Sequence, residues 1–401
     1  MTARRKVACR TLSLSAALAL MAGSAAAQEA RAGQEVRVGF LNTFTGGGAV
    51  IGEEMKKAWE LALEHLGGKF GGLKAVTFYG DDQLKPEAGI AAVEKFLQQD
   101  KVHFVAGPIW SNVMVAVRDR VLGSNAILVS TNAGPSQLAG KDCSPYFFST
   151  SWQGDQVPEA MGQLMNGEKL SDVLLMAPNY QAGKDVLAGF ERFYQGKISD
   201  RVLFKIGTTD YQAEFASIRA KKPGGVFVFA PGAMGTAFMK QWAAAGLGKD
   251  IKLYTVFVIN HLNLPAIGEA AIGSYFADYW NAESEAPGNQ RFVKGYIAKH
   301  KAHPSHFAAQ AYDAAFLIDS GVKGVQDKVD DRKALSAALR KADYESIHGK
   351  FSFNVNGFPI QDYYKFSVVK GPGGAPAIKT EGVVFKAHKD AYHGECRATL
   401  Q

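Results

Sequence analysis

The chain of 401 residues lacks most of the patterns by which enzymes are recognised. It has no G-x-S-x-G elbow, since residues 134–138 (GPSQL) lack the second glycine. The glycine-rich loop at 45–52 has neither the G-x-G-x-x-G spacing of a dinucleotide site nor the Gly-Lys-Ser/Thr of a phosphate loop. The histidines of residues 300–306 are interrupted by Pro304, which disfavours a metal site. We therefore expect no enzyme, no metal and no cofactor.

The net charge of the chain is also small when the first 27 residues are not counted. They hold four basic residues and no acidic one, so removing them lowers the formal net charge from +7 to +3. So small a charge does not favour a nucleic acid or an acidic membrane surface as a partner. We expect no nucleic-acid partner.

The first 27 residues have the three parts of a secretory signal peptide. A basic start is followed by an apolar run at 12–22, too short to span a bilayer, and by three alanines ending at Ala27. We predict cleavage after Ala27 and a periplasmic protein. The pair Arg4-Arg5 leaves the twin-arginine export route open beside the general one.

Only three cysteines are present, and two of them, Cys143 and Cys396, follow the cleavage site. Two cysteines in an oxidising compartment are usually paired. We predict a disulfide that joins the C-terminus to the loop before Pro145, with two separate buried thiols as the alternative.

Strands and helices alternate along the mature chain, which indicates an α/β fold with parallel sheets covered by helices on both faces. Its length of about 374 residues predicts two lobes. Strands are predicted at 36–41, 75–79, 102–106, 126–130, 172–177, 225–230, 252–258, 271–277 and 361–370. Helices are predicted at 53–66, 86–100, 112–122, 182–194, 234–245, 305–320 and 332–341.

Two strand-to-helix turns, at 107–112 (GPIWSN) and 130–135 (STNAGP), have the chemistry of an anion site. Backbone N–H groups at a helix N-terminus, supplemented by the side chains of Ser111, Asn112 and Asn132, suit a carboxylate. Ligands of open α/β sheets bind at this carboxyl edge. Ordinary helix capping is the alternative for either residue alone, but two adjacent turns of the same kind favour a site.

Seven segments, in order, resemble the periplasmic solute-binding proteins of branched-chain amino acid type ABC importers, the leucine/isoleucine/valine-binding family. They cover nearly the whole mature chain. The segments are VRVGFLNTFTGGGAVIGEEMKKAWELALEHLGG, FVAGPIWSNV, LVSTNAGPSQL, YFFSTSWQGDQVPEAMG, LLMAPNYQAGKDVLAGFERF, VFVFAPGAMGTAFMKQWAAAGL and HFAAQAYDAAFLI.

The resemblance implies a type I periplasmic binding protein fold, in which two Rossmann-like lobes joined by three hinge crossings close on one solute. It places lobe one at 28–149 and 280–351 and lobe two at 150–279 and 352–401. Crossings are expected near 149–152, 278–280 and 351–353. The expected hinge residues are Ser149, Trp152 and Trp280. The implied partners are the permease subunits of an ABC transporter in the inner membrane, and we expect a monomer.

The resemblance also implies roles for residues of the site. Ser111 and the turn at 132–134 hold a ligand carboxylate, Tyr180 closes over it, and Phe44 and Ile51 line a side-chain pocket. The full set of expected ligand-binding residues is Phe44, Ile51, Trp110, Ser111, Asn112, Asn132, Ala133, Gly134, Tyr180 and Phe257.

Two departures from the family pattern bear on the ligand. Gly134 stands where amino-acid binders present a hydroxyl, and the segment 253–260 has no carboxylate to pair with an ammonium group. A buried, unpaired ammonium would cost several kcal/mol. Since Phe44, Trp110, Trp152 and Tyr180 can supply flat apolar walls, we expect a carboxylate without an amino group, plausibly an aromatic acid, with an amino acid as the alternative.

The expected function is capture of a small carboxylate and its delivery to a membrane permease. The alternative, from a different class, is a periplasmic sensing module that reports the solute to a separate receptor or regulator. The signal peptide and the lack of a DNA-binding helix pair favour the importer.

Overall fold

The computed structural model describes residues 34–326 and 328–397. The predicted signal peptide lies outside these residues. Among the helices described, none is both long enough and apolar enough to cross a membrane.

The first lobe is built on a six-stranded sheet in the order β2-β3-β1-β4-β5-β6, parallel except for the β2–β3 pair. Its strands are β1 (Glu35–Asn42), β2 (Lys69–Phe70), β3 (Leu73–Asp81), β4 (Phe104–Ala106), β5 (Ile127–Ser130) and β6 (Phe147–Ser149). Its first helices are α1 (Ala49–His65), α2 (Pro86–Gln98), α3 (Ser111–Leu122) and α4 (Ser136–Ala139).

The second lobe is built on a seven-stranded sheet in the order β13-β12-β11-β10-β9-β7-β8, in which only the β11–β12 and β12–β13 pairs are antiparallel. Its strands are β7 (Val173–Pro178), β8 (Ile198–Phe204), β9 (Gly225–Phe229), β10 (Lys252–Val256), β11 (Tyr275–Asp278), β12 (Gln361–Lys370) and β13 (Pro376–His388). Its helices are α5 (Gln156–Met165), α6 (Gln181–Phe193), α7 (Gln212–Lys221), α8 (Ala233–Ala244) and α9 (Leu264–Ile267).

Between β11 and β12 the chain returns to the first lobe as α10 (Pro287–His300), α11 (His306–Val325) and α12 (Arg332–Leu339). Helix α11 packs along α1 and is buried over most of its length, because its inner positions are alanines and other small residues that let the helices approach. The predicted α/β fold with two sheets is therefore confirmed.

The chain passes between the lobes three times, after β6, after β11 and before β12. The third passage comes later than the segment 351–353. Residues up to Phe358 still pack on the first lobe: the Ser149 N–H donates to the Gly357 carbonyl at 2.9 Å, and the Phe358 ring lies 5.0 Å from that of Phe147. The chain then enters the second sheet at Gln361.

Helix α1 begins at Ala49, one turn before the predicted start, because the glycine loop at 46–48 forms a 3-10 turn that continues into the helix. Gly52 is required in this first turn, since a Cβ atom there would lie 1.9 Å from the Thr43 carbonyl oxygen. The helix thus begins directly against the end of β1 and fixes the first edge of the cleft.

The predicted disulfide between Cys143 and Cys396 is confirmed, with an S–S distance of 2.04 Å. After β13 the tail runs back to the first lobe, where the Asp390 carboxylate accepts hydrogen bonds from Asn354 and Asn356. Two residues after Asp390, the Tyr392 hydroxyl donates to Asp155 of the second lobe at 2.8 Å. The tail is therefore a further covalent connection between the lobes.

Removing this bridge with Cys143→Ser and Cys396→Ser should lower the free energy of unfolding by roughly 5 kcal/mol, because a loop of 253 residues is no longer closed in the unfolded chain. Urea unfolding of the oxidised protein and the double variant measures the difference. Reductant should destabilise the wild type but leave the double variant unchanged. Equal midpoints for the wild type with and without reductant would contradict the prediction.

A second prediction concerns Glu54, a buried carboxylate of α1 that accepts hydrogen bonds from the Ser305 N–H and hydroxyl. Burial raises its pKa to about 7. Because the folded protein binds this proton more tightly than the unfolded chain, the contribution to stability is present below about pH 4.5 and is lost as the pH rises through 7.

As the pH rises from 5 to 8, ionisation of Glu54 should therefore lower the free energy of unfolding by roughly 2–3 kcal/mol. The Glu54→Gln variant should lack that pH dependence and be more stable than the wild type at pH 8. Denaturant unfolding at the two pH values measures both proteins. If the free energies of unfolding of the wild type and Glu54→Gln changed with pH in the same way, the pH dependence could not be assigned to Glu54.

Candidate functional site

A small cavity of about 30 Å³ lies between the lobes, at the carboxyl ends of the strands of both sheets. This is close to the volume of one water molecule in the liquid. The lining residues are Ile109, Trp110, Ser111, Asn132, Ala133, Gly134, Trp152, Gly154, Tyr180, Ala182, Val186, Phe229, Pro231, Phe257 and Phe307.

The N-terminus of α3 supplies hydrogen-bond donors to this cavity. The first amide bonded within the helix is that of Met114, which donates to the Trp110 carbonyl, so the preceding amides have no partner inside the helix. The Ser111 side chain lines the cavity beside them. An anion can therefore bind here through backbone N–H groups and one hydroxyl. Asn112 does not line the cavity.

Trp110 is held in place by a chain of hydrogen bonds that leads away from the cavity. Its indole N–H donates to the Thr43 hydroxyl at 2.8 Å, and that hydroxyl donates to the Asp82 carboxylate at 2.5 Å. The Trp110 ring lies 6.2 Å from the ring of Tyr180, which comes from the second lobe. The indole thus presents a fixed wall to the cavity.

Asn132 lines the cavity, but its side chain is occupied by other protein groups. Its amide nitrogen donates to the Ile109 carbonyl at 2.6 Å, and its amide oxygen accepts from Gln310 at 2.7 Å. Gln310 in turn accepts from the Tyr279 hydroxyl at 2.6 Å. Through these hydrogen bonds Asn132 links the two strand-to-helix turns to α11.

Gly134 stands where a hydroxyl-bearing residue would not fit. A Cβ atom there would lie 2.1 Å from the carbonyl oxygen of Trp152. The Gly134 carbonyl also accepts the N–H of Gly154 at 2.7 Å, so this turn touches the first passage between the lobes. A hydroxyl-bearing residue at position 134 would therefore clash with the Trp152 carbonyl, which gives a steric reason for glycine at this position.

The residue directly after the second predicted turn binds a carboxylate of the protein. The N–H and hydroxyl of Ser136 donate to Asp185 of α6, in the opposite lobe, at 3.2 and 2.8 Å. Burial raises the pKa of Asp185 to about 6, with the charge of Asp155 adding to the effect. Asn132, Ala133 and Gly134 of the turn itself line the cavity.

Aromatic rings form the remaining walls of the cavity. Trp152 stacks on Phe257 with centroids 4.4 Å apart, and Tyr180 stacks on Phe229 at 6.3 Å. Phe257 has a φ of +57°, a conformation that is unfavourable for a phenylalanine. The loop that follows it is held by hydrogen bonds between Asn260 and Asn263 and from Asn263 to the Val258 carbonyl.

Tyr180 is the N-cap residue of α6 and is partly buried against the core. Burial raises the pKa of its hydroxyl, so this side chain is a neutral hydrogen-bond donor in the cavity at any physiological pH.

Within the part of the chain that the structure describes, no acidic and no basic side chain lines this cavity. The same residues contain no group of three or more His, Cys, Asp or Glu side chains placed to bind a metal ion. Phe257 occupies the segment in which amino-acid binders would place an acid, as the sequence indicated. The cavity therefore offers dipoles and rings but no counter-charge.

Besides Asn112, two expected binding residues, Phe44 and Ile51, do not line the cavity. The N–H of Phe44 donates to Asp81 at 2.8 Å, and its ring packs edge-on against Tyr79 at 6.1 Å. Ile51 lies against Gly232 of the second lobe. A Cβ atom added to Gly232 would lie 3.2 Å from the side chain of Ile51. Both positions border the cleft outside the enclosed space.

Several lining residues were not expected from the sequence. Phe229 directly ends a strand, so the rule that ligands bind at carboxyl ends of strands could have found it. The same rule applies to Ile109, which lies in the predicted turn at 107–112, and to Pro231, two residues after the end of β9. The other unexpected lining residues are Gly154, Ala182, Val186 and Phe307.

The three expected hinge residues have different surroundings. Ser149 ends β6 and bonds to Gly357 and to the Ser151 hydroxyl. Trp280 is buried after β11 and donates to Asn289 at 2.9 Å. Trp152 lies in the first passage and also forms a wall of the cavity.

A second, open cavity of about 1000 Å³ lies between α1, the loop 260–268 and the loop before α11. Charged side chains of both signs border it, among them Glu53, Lys57, Glu283 and Lys301. The described lining of the smaller cavity has no such charged side chain, and we assign the candidate site to the smaller one.

Residues 35–373 match the family model described as periplasmic binding protein. The chain belongs to this family. With its two sheets and its interlobe cavity, it is a solute-binding protein of the ABC-transporter type. A curated relative is the Leu/Ile/Val-binding protein homolog 6 of Brucella abortus, 25% identical over 369 residues that cover 89% of this chain and 94% of the relative.

Among solved structures, a solute-binding protein of R. palustris in complex with benzoate is 28% identical with a TM-score of 0.85, covering 91% of this chain and all of that one. A Rhodopseudomonas palustris BisB5 protein in complex with 3,4-dihydroxybenzoic acid is 26% identical with a TM-score of 0.83, covering 89% and 99%. A leucine-binding protein of Thermotoga maritima, 18% identical with a TM-score of 0.75, shares the fold and covers 87% and 98%.

The different roles of Asn132 and Ser111 give a prediction that needs no ligand. Asn132→Ala leaves the Ile109 carbonyl and the Gln310 amide without partners, so it should lower the free energy of unfolding by roughly 2 kcal/mol. Ser111→Ala removes a hydroxyl that faces the cavity and should change it by less than about 0.5 kcal/mol. Urea unfolding of both variants tests this; equal destabilisation would show that the two side chains have the same role.

Proposed function

We propose that this protein captures a small aromatic carboxylate of the benzoate class between its lobes and delivers it to the permease subunits of an ABC importer in the inner membrane. It works in the periplasm as a monomer after cleavage behind Ala27. Binding involves no turnover of the ligand. The observation that carries this proposal is a cavity with aromatic walls, free helix amides and no charged side chain.

The amides of α3 account for the carboxylate. A carboxylate at a helix N-terminus is stabilised by the unpaired N–H groups and by the helix dipole, and it needs no cationic side chain. Ser111 adds a hydroxyl at the same place. This end of the cavity would accept the acid group of an amino acid and of an aromatic acid equally well.

The rest of the cavity separates these two classes. An amino acid would bring an ammonium group into a space without an acidic side chain, which costs several kcal/mol. A benzene ring needs only flat apolar surfaces, and Trp152, Phe257, Tyr180 and Phe229 supply them. The benzoate and dihydroxybenzoate complexes of the similar proteins support the same class.

Capture requires the lobes to move. A free volume of about 30 Å³ admits no benzene ring, so the ligand enters while the lobes are apart. Closure about the three passages then encloses it, and the closed surface is what the permease recognises. Tyr180 joins the second lobe to the ligand as the cleft closes.

The first test is isothermal titration calorimetry with benzoate and with leucine. Benzoate should bind with a 1:1 stoichiometry, and leucine should bind at least about 100-fold more weakly, because its ammonium group stays unpaired. Tight binding of leucine without binding of benzoate would overturn the proposed ligand class.

Two variants of Tyr180 test the site itself. Tyr180→Ala removes a wall and should weaken benzoate binding by about tenfold or more without unfolding the protein, whereas Tyr180→Phe keeps the ring and should weaken it less. Circular dichroism confirms that both variants are folded. Unchanged affinity in Tyr180→Ala would contradict the placement of the ligand in this cavity.

A further inference from the structure

Asp185 and Ser136 join the two lobes directly beside the cavity. Asp185 lies one turn into α6 of the second lobe, and Ser136 is the first residue of α4 in the first lobe. One oxygen of the carboxylate accepts from the Ser136 hydroxyl at 2.8 Å and the other accepts from the Ser136 N–H at 3.2 Å. Two hydrogen bonds therefore cross the cleft from a single side chain.

The contact is next to the ligand site but not part of it. Ala182 and Val186, on the same helix, line the cavity, whereas Asp185 does not. On the other side of the contact, a Cβ atom at Gly154 would lie 3.2 Å from the Cβ of Asp185, and Gly154 and Gly134 both line the cavity. A change at Asp185 can alter the fit of the lobes without removing any group that faces a ligand.

Among the described residues, buried Asp185 has no cationic partner. Within the same residues its one further donor is Gln181 of the same helix at 2.9 Å, and Arg192 is bound to Asp155 and Glu159. Two of the three donors to this carboxylate thus come from the opposite lobe. When the lobes separate, both are lost together, and the carboxylate is left with Gln181 and water.

We propose that Asp185 is an interlobe latch, a positioning residue that sets the fraction of closed protein through Ser136 and thereby sets the affinity for every ligand of the cavity. This inference rests on the proposed function, in which binding and closure are linked. It assigns to Ser136, directly after the predicted turn at 130–135, a carboxylate of the protein.

The latch has a signature that a residue of the cavity wall does not share. The apparent dissociation constant equals the intrinsic constant divided by the closed fraction, so loss of the latch weakens all ligands by the same factor. Loss of a wall residue instead changes the ratio between ligands. For two hydrogen bonds to a carboxylate, the common factor should be roughly tenfold.

The experiment is a double-mutant cycle with Asp185→Asn, Ser136→Ala and the combined variant. Dissociation constants for benzoate and 4-hydroxybenzoate are measured by calorimetry, dissociation rates by stopped flow, and the closed fraction without ligand by interlobe paramagnetic relaxation enhancement, which detects a minor closed population. Glu191→Gln is the matched control, since it neutralises a carboxylate on the same helix that pairs with Arg201 within the second lobe.

We expect each single variant to weaken both ligands by the same factor of about ten, mainly through faster dissociation, and the combined variant to weaken them no further. Glu191→Gln should bind as the wild type does. Multiplicative effects in the combined variant, or a lower unfolding temperature with unchanged dissociation constants, would overturn the latch and leave Asp185 a structural residue of its lobe.

Interlobe paramagnetic relaxation keeps this test separate from the test of the proposed ligand. If the wild type binds neither acid, the proposed ligand class fails, and the latch is then decided by the ligand-free proteins. Weaker interlobe relaxation, and hence a smaller closed fraction, in Asp185→Asn and Ser136→Ala than in Glu191→Gln supports the latch. Equal relaxation in all three overturns it.

Discussion

A buried ion needs a partner of opposite sign or a set of dipoles. The free amides of α3 favour an anion, and no described acidic side chain lines the cavity to favour a cation. The ligand class proposed above is consistent with this electrostatic condition. A solute with one negative charge and a flat apolar body satisfies it.

Two polar side chains of the cavity wall are engaged with other groups of the protein. Asn132 bonds to Ile109 and Gln310, and the Trp110 indole is bonded through Thr43 to Asp82. Such groups are already ordered before a ligand arrives, so binding does not have to fix them. Rigid walls within each lobe leave the relative position of the lobes as the main variable, which explains why one interlobe contact can have a general effect on affinity.

The sequence was sufficient for the fold. Strand and helix periodicity and the family resemblance predicted two lobes, and the oxidising compartment predicted the Cys143–Cys396 bridge. Trp110 and Ser111 were proposed as site residues from the turn after a strand, Tyr180 from the resemblance, and all three line the cavity. Phe44 and Ile51 were placed by resemblance alone, and in this chain their loop packs against Tyr79 and Gly232 outside the cavity.

The contact between Asp185 and Ser136 shows why the rest of the site could not be predicted. The turn before α4 has the chemistry of a carboxylate site, and the residue that follows it, Ser136, binds a carboxylate. Nothing in the local pattern states whether that group arrives with a ligand or from a helix 49 residues further along the chain. Local sequence thus determines which kind of ion a turn stabilises, while the packing of distant segments determines which group occupies it.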